Sequence, residues 1–222
     1  MSMRADQRRP DEYREIKIKK GLCLSSQGSA QLSYGPTQVI ATINGPKELR
    51  YREVGTRLTQ INVKTFPEKR ELNDIIITAL RNSLDLEAYP DTYIDVCITI
   101  VCDDGSLISC AINAALLALY DASLKIKKFA FASCLCFKGT ELYIDPTKHE
   151  EDVLNVSNGV VTFLYSDGTT QNPENNSMMA NPNNEIIIFS CYFEGLIEPE
   201  MMMAAISRAS YNLDIIKQLY SQ

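Results

Sequence analysis

The segment DDGS, residues 103–106, lies between an apolar run and a stretch whose apolar spacing predicts an amphipathic helix. A loop at a helix start is a common anion-binding site, because backbone N–H groups are unpaired there and the helix dipole favours negative charge. The next two residues, Leu107 and Ile108, neither donate a side-chain hydrogen bond nor carry charge. The segment is therefore a phosphate site, a former phosphate site or a plain helix start.

A second group of candidate residues, KHEED at 148–152, contains three acids and the only histidine of the chain, His149. Carboxylates can hold a divalent metal or transfer protons, and histidine can act as an acid or a base. We interpret His149 as a solvated residue and Asp152 as an acid at a helix start or in a loop. No Cys-x-x-Cys pair accompanies them, so the sequence argues against a zinc site, and we predict neither a metal nor a cofactor.

The cysteines are odd in number and lie mostly in apolar runs, where a free thiol behaves as a small hydrophobic side chain. The seven are Cys23, Cys97, Cys102, Cys110, Cys134, Cys136 and Cys191. We predict that they are reduced and mostly buried, which indicates a reducing compartment, the cytosol or the nucleus. The first residues lack the apolar core of a secretory signal and no stretch approaches a membrane span, so no membrane partner is expected.

The most functional-looking basic residues are Arg50, Arg52, Arg57 and Lys64, with Lys69 and Arg70 a short distance beyond. They could line an RNA path, contact a neighbouring subunit or form a solvated loop, and the sequence leaves these readings open. The net charge of −6 argues against a protein that binds nucleic acid on its own. It does not exclude a subunit whose basic edge faces a shared channel.

The elements that must position these residues follow from the spacing of apolar side chains. In the first half we predict a half-buried strand within REIKIKKGLCLS, two strands joined by Gly35-Pro36-Thr37 and closed by Gly45-Pro46, and a strand at TQINVKTF. A helix is predicted from Glu68 to about Leu86, followed by the strand TYIDVCITIVC, which we expect to be buried on both faces.

The second half begins with a predicted helix from about Ser106 to Asp121 and continues with strands at KKFAFASCLCF, TELYIDP, VVTFLYSDG and NEIIIFSCYF. A polar Asn/Pro-rich surface loop is predicted at about residues 169–184. The chain closes with a predicted helix whose stripe is Met202, Ile206, Ala209, Leu213 and Ile216. The order of elements predicts an α+β (mixed α/β) fold in one compact domain, residues 1–222.

Several separated motifs resemble the ribonuclease PH family. The opening RADQRRPDEYREIKIKKG and GSAQLSYGPTQVIATINGP are similar to that family's Arg-x-Asp-Gly-Arg start, Gly-Ser strand, Gly-x-Thr turn and Gly-Pro end. DDGSLISCAINAALLALYDASLKIKKF and LYIDPTKHEED resemble its second half. The resemblance implies a ribonuclease PH-like fold, also found in the second domain of ribosomal protein S5. It further implies dimers that assemble into six-membered rings, and 3′-to-5′ phosphorolysis of RNA.

By the same resemblance, each part of the phosphorolytic pocket is altered here. Leu107 and Ile108 stand where active members carry Ser/Thr and Arg, and Glu71 stands where they carry a second Arg. Asp152 matches the first acid of a metal-supporting pair, but Asn158 replaces the second. The degenerate pocket positions are thus Arg70, Glu71, Leu107, Ile108, Asp152 and Asn158. They predict a former phosphate site with no catalytic residue.

The resemblance therefore predicts a non-catalytic structural subunit of the RNA exosome core ring that supports 3′-to-5′ RNA processing and degradation. The implied partners are other ribonuclease PH-like exosome subunits in a hetero-oligomeric ring, cap subunits and RNA, with a homodimer possible in isolation. The implied location is the nucleus, including the nucleolus, and the cytoplasm. The alternatives are an active phosphorolytic or hydrolytic nuclease that uses Asp152, possible as a homodimer, and a stand-alone nucleic-acid-binding module.

Overall fold

The computed structural model describes residues 4, 6–49, 58–128, 130–138, 141–155, 160–166, 170–171, 178–179, 187–194, 199–200 and 203–205. The first half forms a five-stranded sheet with the strand order β1-β2-β3-β5-β4. Its strands are β1 (Ile16–Lys20), β2 (Gly28–Tyr34), β3 (Thr37–Glu48), β4 (Gln60–Phe66) and β5 (Thr92–Cys102). Helix α1 (Arg70–Ser83) connects β4 to β5, which are parallel, and all other neighbours are antiparallel.

Helix α2 (Leu107–Asp121) follows β5 and leads to the second half of the chain. The remaining elements are β6 (Phe131–Lys138), β7 (Glu141–Ile144), α3 (Lys148–Asn155), β8 (Val160–Ser166), β9 (Thr170–Gln171), β10 (Met178–Met179) and β11 (Ile187–Glu194). Four of these strands form an antiparallel sheet with the order β11-β8-β6-β7, and β9 pairs only with β10.

Helix α2 lies at the centre of the molecule, where it packs against β2 and β3 of the first sheet and β6 of the second. The helix was predicted to be amphipathic, but it is apolar on all sides rather than on one stripe, and twelve of its fifteen residues are buried. Its one buried amide, Asn113, donates to Tyr34 Oη (2.8 Å) and to the carbonyl of Ala132 (2.8 Å), and accepts from the Ala132 N–H (2.8 Å). Asn113 thus joins α2 to both sheets without leaving a polar group unpaired.

The α+β fold class is confirmed, and the strands and the first two helices lie where the sequence predicts them, with helix α1 shorter at both ends. One burial prediction is wrong. Strand β5 was expected to be buried on both faces, but Ile94, Val96 and Ile98 are buried while Thr99 and Val101 are exposed. The helices cover only one face of the five-stranded sheet, so a continuous apolar run did not require burial on both faces. Both faces are buried instead in strand β6, over residues 131–137, and in most of strand β2.

Helix α3 was not predicted as a helix, although its start carries a local signal. The Thr147 hydroxyl accepts from the Glu150 N–H (3.3 Å), and the Glu150 carboxylate accepts from the Thr147 N–H (2.8 Å). This reciprocal pair is a capping box, which the sequence Thr-Lys-His-Glu spells out. Arg4 then holds the Glu150 carboxylate with two hydrogen bonds, of 2.8 and 2.5 Å. Burial opposes ionisation of Glu150, but Arg4 outweighs it, so the pKa of Glu150 lies below its usual value.

Two other expectations need correction. The Asn/Pro-rich segment, predicted as a loop, contains the short β9–β10 pair. Of the cysteines, Cys110, Cys134 and Cys136 are buried, whereas Cys102 and Cys191 are exposed, so the prediction of mostly buried thiols is wrong; all seven are free.

The predicted C-terminal stripe lies outside the described residues. Residues 199–200 and 203–205 are helical, with Met203 exposed and Ala205 buried. Among the described residues, no helix combines the length and the apolar content that crossing a membrane requires.

The loop that precedes α2 is held in place by Arg14. Its guanidinium binds both carboxylate oxygens of Asp145, at 2.9 and 2.7 Å, and donates to the carbonyl oxygens of Asp104 (2.6 Å) and Gly105 (3.2 Å). The Asp145 carboxylate also accepts from the backbone N–H of Arg14 at 2.9 Å. Arg14 therefore fixes the DDGS loop beside the segment that opens helix α3.

Gly105 sits at the point where these two segments touch. Its φ is +87°, and a Cβ atom there would lie 2.4 Å from the Pro146 carbonyl oxygen and 2.5 Å from the Lys148 backbone nitrogen. Only glycine fits this approach, since the obstructing atoms are backbone rather than flexible side chain.

We predict that Gly105→Ala lowers the free energy of unfolding by roughly 2–4 kcal/mol, because it combines backbone strain with a backbone clash. Gly21→Ala is the matched control: its φ is +66° but nothing lies within 4 Å of the added carbon. Strain alone should then cost about 1 kcal/mol. Urea denaturation measures both values, and equal losses would contradict the clash.

Candidate functional site

A cavity of about 600 Å³ opens where the first turns of α1 and α2 meet helix α3 and strand β11. It is of the size that holds a small ligand or a side chain of a partner. The residues that line it are Lys69, Arg70, Glu71, Leu72, Ile75, Asp103, Leu107, Ile108, Cys134, Lys148, Glu151, Asp152 and Tyr192.

Five of the six predicted pocket positions line this one cavity, although the chain separates them by up to 82 residues (152 − 70). They are Arg70, Glu71, Leu107, Ile108 and Asp152. The sixth, Asn158, lies outside the described residues, as do Arg50, Arg52 and Arg57 of the basic loop. Lys64 is exposed on strand β4 and does not line the cavity. The roles assigned to these residues stay predictions.

The N-terminus of α2 faces a carboxylate of the chain itself. Ser106 precedes the helix with a left-handed backbone (φ 54°), and its hydroxyl donates to the Pro146 carbonyl (3.0 Å) instead of capping the helix. The Ser106 N–H donates to Glu151 Oε1 at 2.6 Å. Because the carboxylate already takes this donor, an anion entering the cavity would meet a negative charge at the helix start.

Glu151 is held in an unfavourable environment for its charge. Burial raises its pKa above the usual value, and the Ser106 hydrogen bond and the nearby Lys148 only partly offset this. Lys148 Nζ lies 3.6 Å from the carboxylates of both Glu151 and Asp152. Burial lowers the pKa of Lys148, but the two acids outweigh that effect and its pKa lies above the usual value.

The basic residues of the cavity are each matched by an acid. Lys69 Nζ lies 3.2 Å from Asp103 Oδ2, and Arg70 Nε lies 3.6 Å from Glu68 Oε1. Three basic and four acidic side chains line the cavity. The lining therefore carries no positive excess, in contrast to a site that must hold a phosphate by charge.

The metal-supporting pair implied by the family resemblance does not fit this cavity. The Asp152 carboxylate is 66% exposed and lies beside Lys148, and the position of the second acid is Asn158. Across the described part of the chain, no three His, Cys, Asp or Glu residues form a group that could hold a metal. A hard cation prefers several charged oxygen ligands, so we derive no step through a metal here.

Sequence reasoning missed Cys134, Lys148, Glu151 and Tyr192 as parts of the cavity. Cys134 and Tyr192 come from β6 and β11, which reach the site only through the pairing of the second sheet. Lys148 and Glu151 could have been found, because the capping box at Thr147 predicts a helix whose first turn carries both.

We predict that Glu151→Gln changes the pH dependence of stability. The raised pKa of Glu151 means that its ionisation destabilises the fold as the pH rises through that pKa, whereas the proton favours the folded state at lower pH. Glutamine keeps an acceptor for the Ser106 N–H without the charge. Relative to wild type, the variant should therefore gain more unfolding free energy at neutral pH than at acid pH. Urea denaturation at both pH values measures this gain. An equal gain at neutral and acid pH would contradict a destabilising charge on Glu151.

Comparisons with known proteins agree with this architecture. A family model described as the 3′ exoribonuclease family, domain 1, matches residues 12–125. The exosome complex exonuclease RRP46 homolog of Arabidopsis thaliana is 33% identical over 156 residues, which cover 67% of this chain and 65% of that protein. The exosome complex component Rrp41 of Pyrobaculum arsenaticum is 34% identical over 142 residues, covering 56% and 58%.

The structural likeness extends over the whole chain. The crystal structure of Rrp46 from rice (Oryza sativa) superposes with a TM-score of 0.81 at 24% identity and covers 99% of both chains. The chain spans less than two thirds of the length of the two curated relatives above. The predicted ribonuclease PH-like fold is confirmed, and the chain belongs to the 3′ exoribonuclease family.

Proposed function

We propose that this chain is a non-catalytic structural subunit of the RNA exosome core ring, which supports 3′-to-5′ RNA processing and degradation. The two curated relatives carry the name of the exosome complex. A chain of this kind contributes its fold and its surfaces to an assembly, while the chemistry takes place elsewhere.

One observation carries the proposal: the start of α2, where an anion would bind, presents Leu107 and Ile108 to the cavity and gives its Ser106 N–H to Glu151. A guanidinium clamp supplies charge and geometry to a phosphate, and isoleucine supplies neither. Glu71 and Asp152 add negative charge to the same cavity. Phosphorolysis needs bound inorganic phosphate, so a cavity of this composition supports a loss of that activity.

The alternative is an active nuclease that uses Asp152, and the Arabidopsis relative is named an exonuclease. Such an enzyme would need a group to activate phosphate or water. Asp152 is a solvated carboxylate beside Lys148, and the acid that would complete a pair is replaced at Asn158. The composition of the cavity therefore favours the structural role.

The proposed partners are ribonuclease PH-like exosome subunits, cap subunits and RNA. Large apolar side chains that are exposed in the described part of the chain offer contacts to such partners, because burying them at an interface removes apolar surface from water. Among the described residues these are Leu22, Leu24, Leu58, Phe66, Val101, Phe193 and Met203. We also propose that the basic loop with Arg50, Arg52 and Arg57 faces RNA or a neighbouring subunit.

We propose the nucleus, including the nucleolus, and the cytoplasm as the location. The seven free cysteines support it, because thiols, two of them exposed, persist in a reducing compartment.

The isolated chain is predicted not to release nucleoside diphosphates from oligoadenylate, with or without inorganic phosphate. The physical reason is the absence of a clamp that could hold phosphate in line with the scissile bond. Chromatography of the products measures this. The result that overturns it is phosphate-dependent release that Asp152→Asn abolishes and Asp74→Asn, an exposed position on α1 outside the cavity, does not.

Co-expression with a ribonuclease PH-like paralogue is predicted to yield a stable hetero-oligomer, with homodimers formed only when that paralogue is missing. A specific interface buries on the order of 800 Å² per partner, to which the exposed apolar side chains can contribute. Light scattering after size-exclusion chromatography measures the mass. A strict monomer at micromolar concentration that ignores every paralogue would contradict the proposed function.

A further inference from the structure

The wall of the cavity is apolar on the side where a phosphate would lie. Helix α1 contributes Leu72 and Ile75, and helix α2 contributes Leu107 and Ile108. Cys134 and the ring of Tyr192 complete this surface from the second sheet. An inorganic anion has no favourable contact with such a wall, but a hydrocarbon stem does, because it loses water-exposed apolar area on entering.

The rim of the cavity favours a positively charged group, whereas a phosphate site favours an anion. Its basic residues already lie within 3.6 Å of carboxylates, and its four acids outnumber its three bases. Glu71 is exposed in the first turn of α1 and makes no ion pair within the described part of the chain. Asp152, 66% exposed, also lines the cavity, and it shares the single cation Lys148 with Glu151. The rim can therefore accept a further positive charge.

We infer that this cavity binds an arginine side chain of a partner protein, with the aliphatic stem against the apolar wall and the guanidinium at Glu71 and Asp152. Arginine combines the two properties that the cavity requires, an apolar stem and a charged planar head. An aromatic ring such as Tyr192 in the wall suits the guanidinium plane as well. The inference rests on the proposed function, because it gives the former phosphate pocket a role in contacts between proteins.

RNA is the disfavoured occupant. Its phosphates would face the four acids of the lining, one of which, Glu151, lies at the helix start. Each basic group that could offset them would first have to leave its own acid. A positively charged protein side chain is attracted by these acids and does not require a basic group to leave its own acid.

The test uses the full-length chain with ¹³C-labelled isoleucine methyl groups, so that Ile75 and Ile108 report on the cavity. The probe is the blocked peptide acetyl-Leu-Arg-Leu-amide, titrated to about 10 mM, above the millimolar Kd expected for a contact of this size. Acetyl-Leu-Glu-Leu-amide is the matched peptide. We expect saturable shifts of the Ile108 methyl with the arginine peptide and at least about five-fold weaker binding of the glutamate peptide.

The matched variants are Glu71→Lys and Asp74→Lys, which make the same charge change on the same helix. Asp74 is exposed and does not line the cavity. Glu71→Lys should raise the Kd of the arginine peptide by about five-fold. Asp74→Lys should leave that Kd within about two-fold of the wild-type value.

Three results would overturn the inference: no shift at Ile108 with the arginine peptide, equal affinity for both peptides, or equal effects of the two variants. Any of these, in a chain that still assembles with its paralogue, leaves the proposed function standing. Saturable shifts at Ile108 with inorganic phosphate or oligoadenylate instead would overturn both.

Discussion

The ion pair between Arg14 and Asp145 is the interaction on which the cavity depends. Both side chains are almost fully buried, at 6% and 1% exposure, and a buried charge is tolerated only when its hydrogen bonds are satisfied. Here the guanidinium binds the carboxylate through two nitrogens and also reaches the carbonyls of Asp104 and Gly105. The pair thus ties three segments together: the strand entry at residue 14, the loop before α2 and the loop before α3.

The residues that hold the backbone of the DDGS loop differ from the residues that line the cavity. Gly105 and the Arg14–Asp145 pair keep the backbone of the DDGS loop in place, and none of these three residues lines the cavity. Leu107 and Ile108, the first two residues of α2, line the cavity, and Leu107 also packs in the core; none of the hydrogen bonds that fix the DDGS loop involves their side chains. Side chains on the cavity side can therefore change in polarity while the loop and the helix keep their positions. A family fold with an altered pocket is the physical outcome.

Much of the fold could be predicted because its signals are local. Alternating Ile16 and Ile18 marked β1, and the apolar spacing after Ser106 marked α2, although its burial on all sides was not predicted. The burial of β5 could not be read in the same way, because whether a helix covers the second face of a sheet is a tertiary property. The cysteines at 102 and 191 were misjudged for the same reason.

The candidate site, like the fold, could be predicted only in part. The family resemblance brought Glu71, Leu107 and Asp152 into one pocket from distant parts of the chain, and the cavity contains all three. Tyr192 could not be predicted, because its approach depends on the order of strands in the second sheet. The place of Glu151 on a helix could have been predicted from the capping box at Thr147, but its hydrogen bond with the Ser106 N–H could not, because that contact is tertiary.

We conclude that the backbone of a phosphate site persists here without the side chains that would bind phosphate. Isothermal titration of the chain with inorganic phosphate, before and after the combined replacement Glu71→Arg, Leu107→Ser and Ile108→Arg, tests it most directly. We expect no measurable binding of phosphate by the wild-type chain. The variant should bind phosphate saturably, with a Kd on the order of 1 mM or below. Saturable binding by the wild-type chain, or none by a variant that retains its fold, would contradict it.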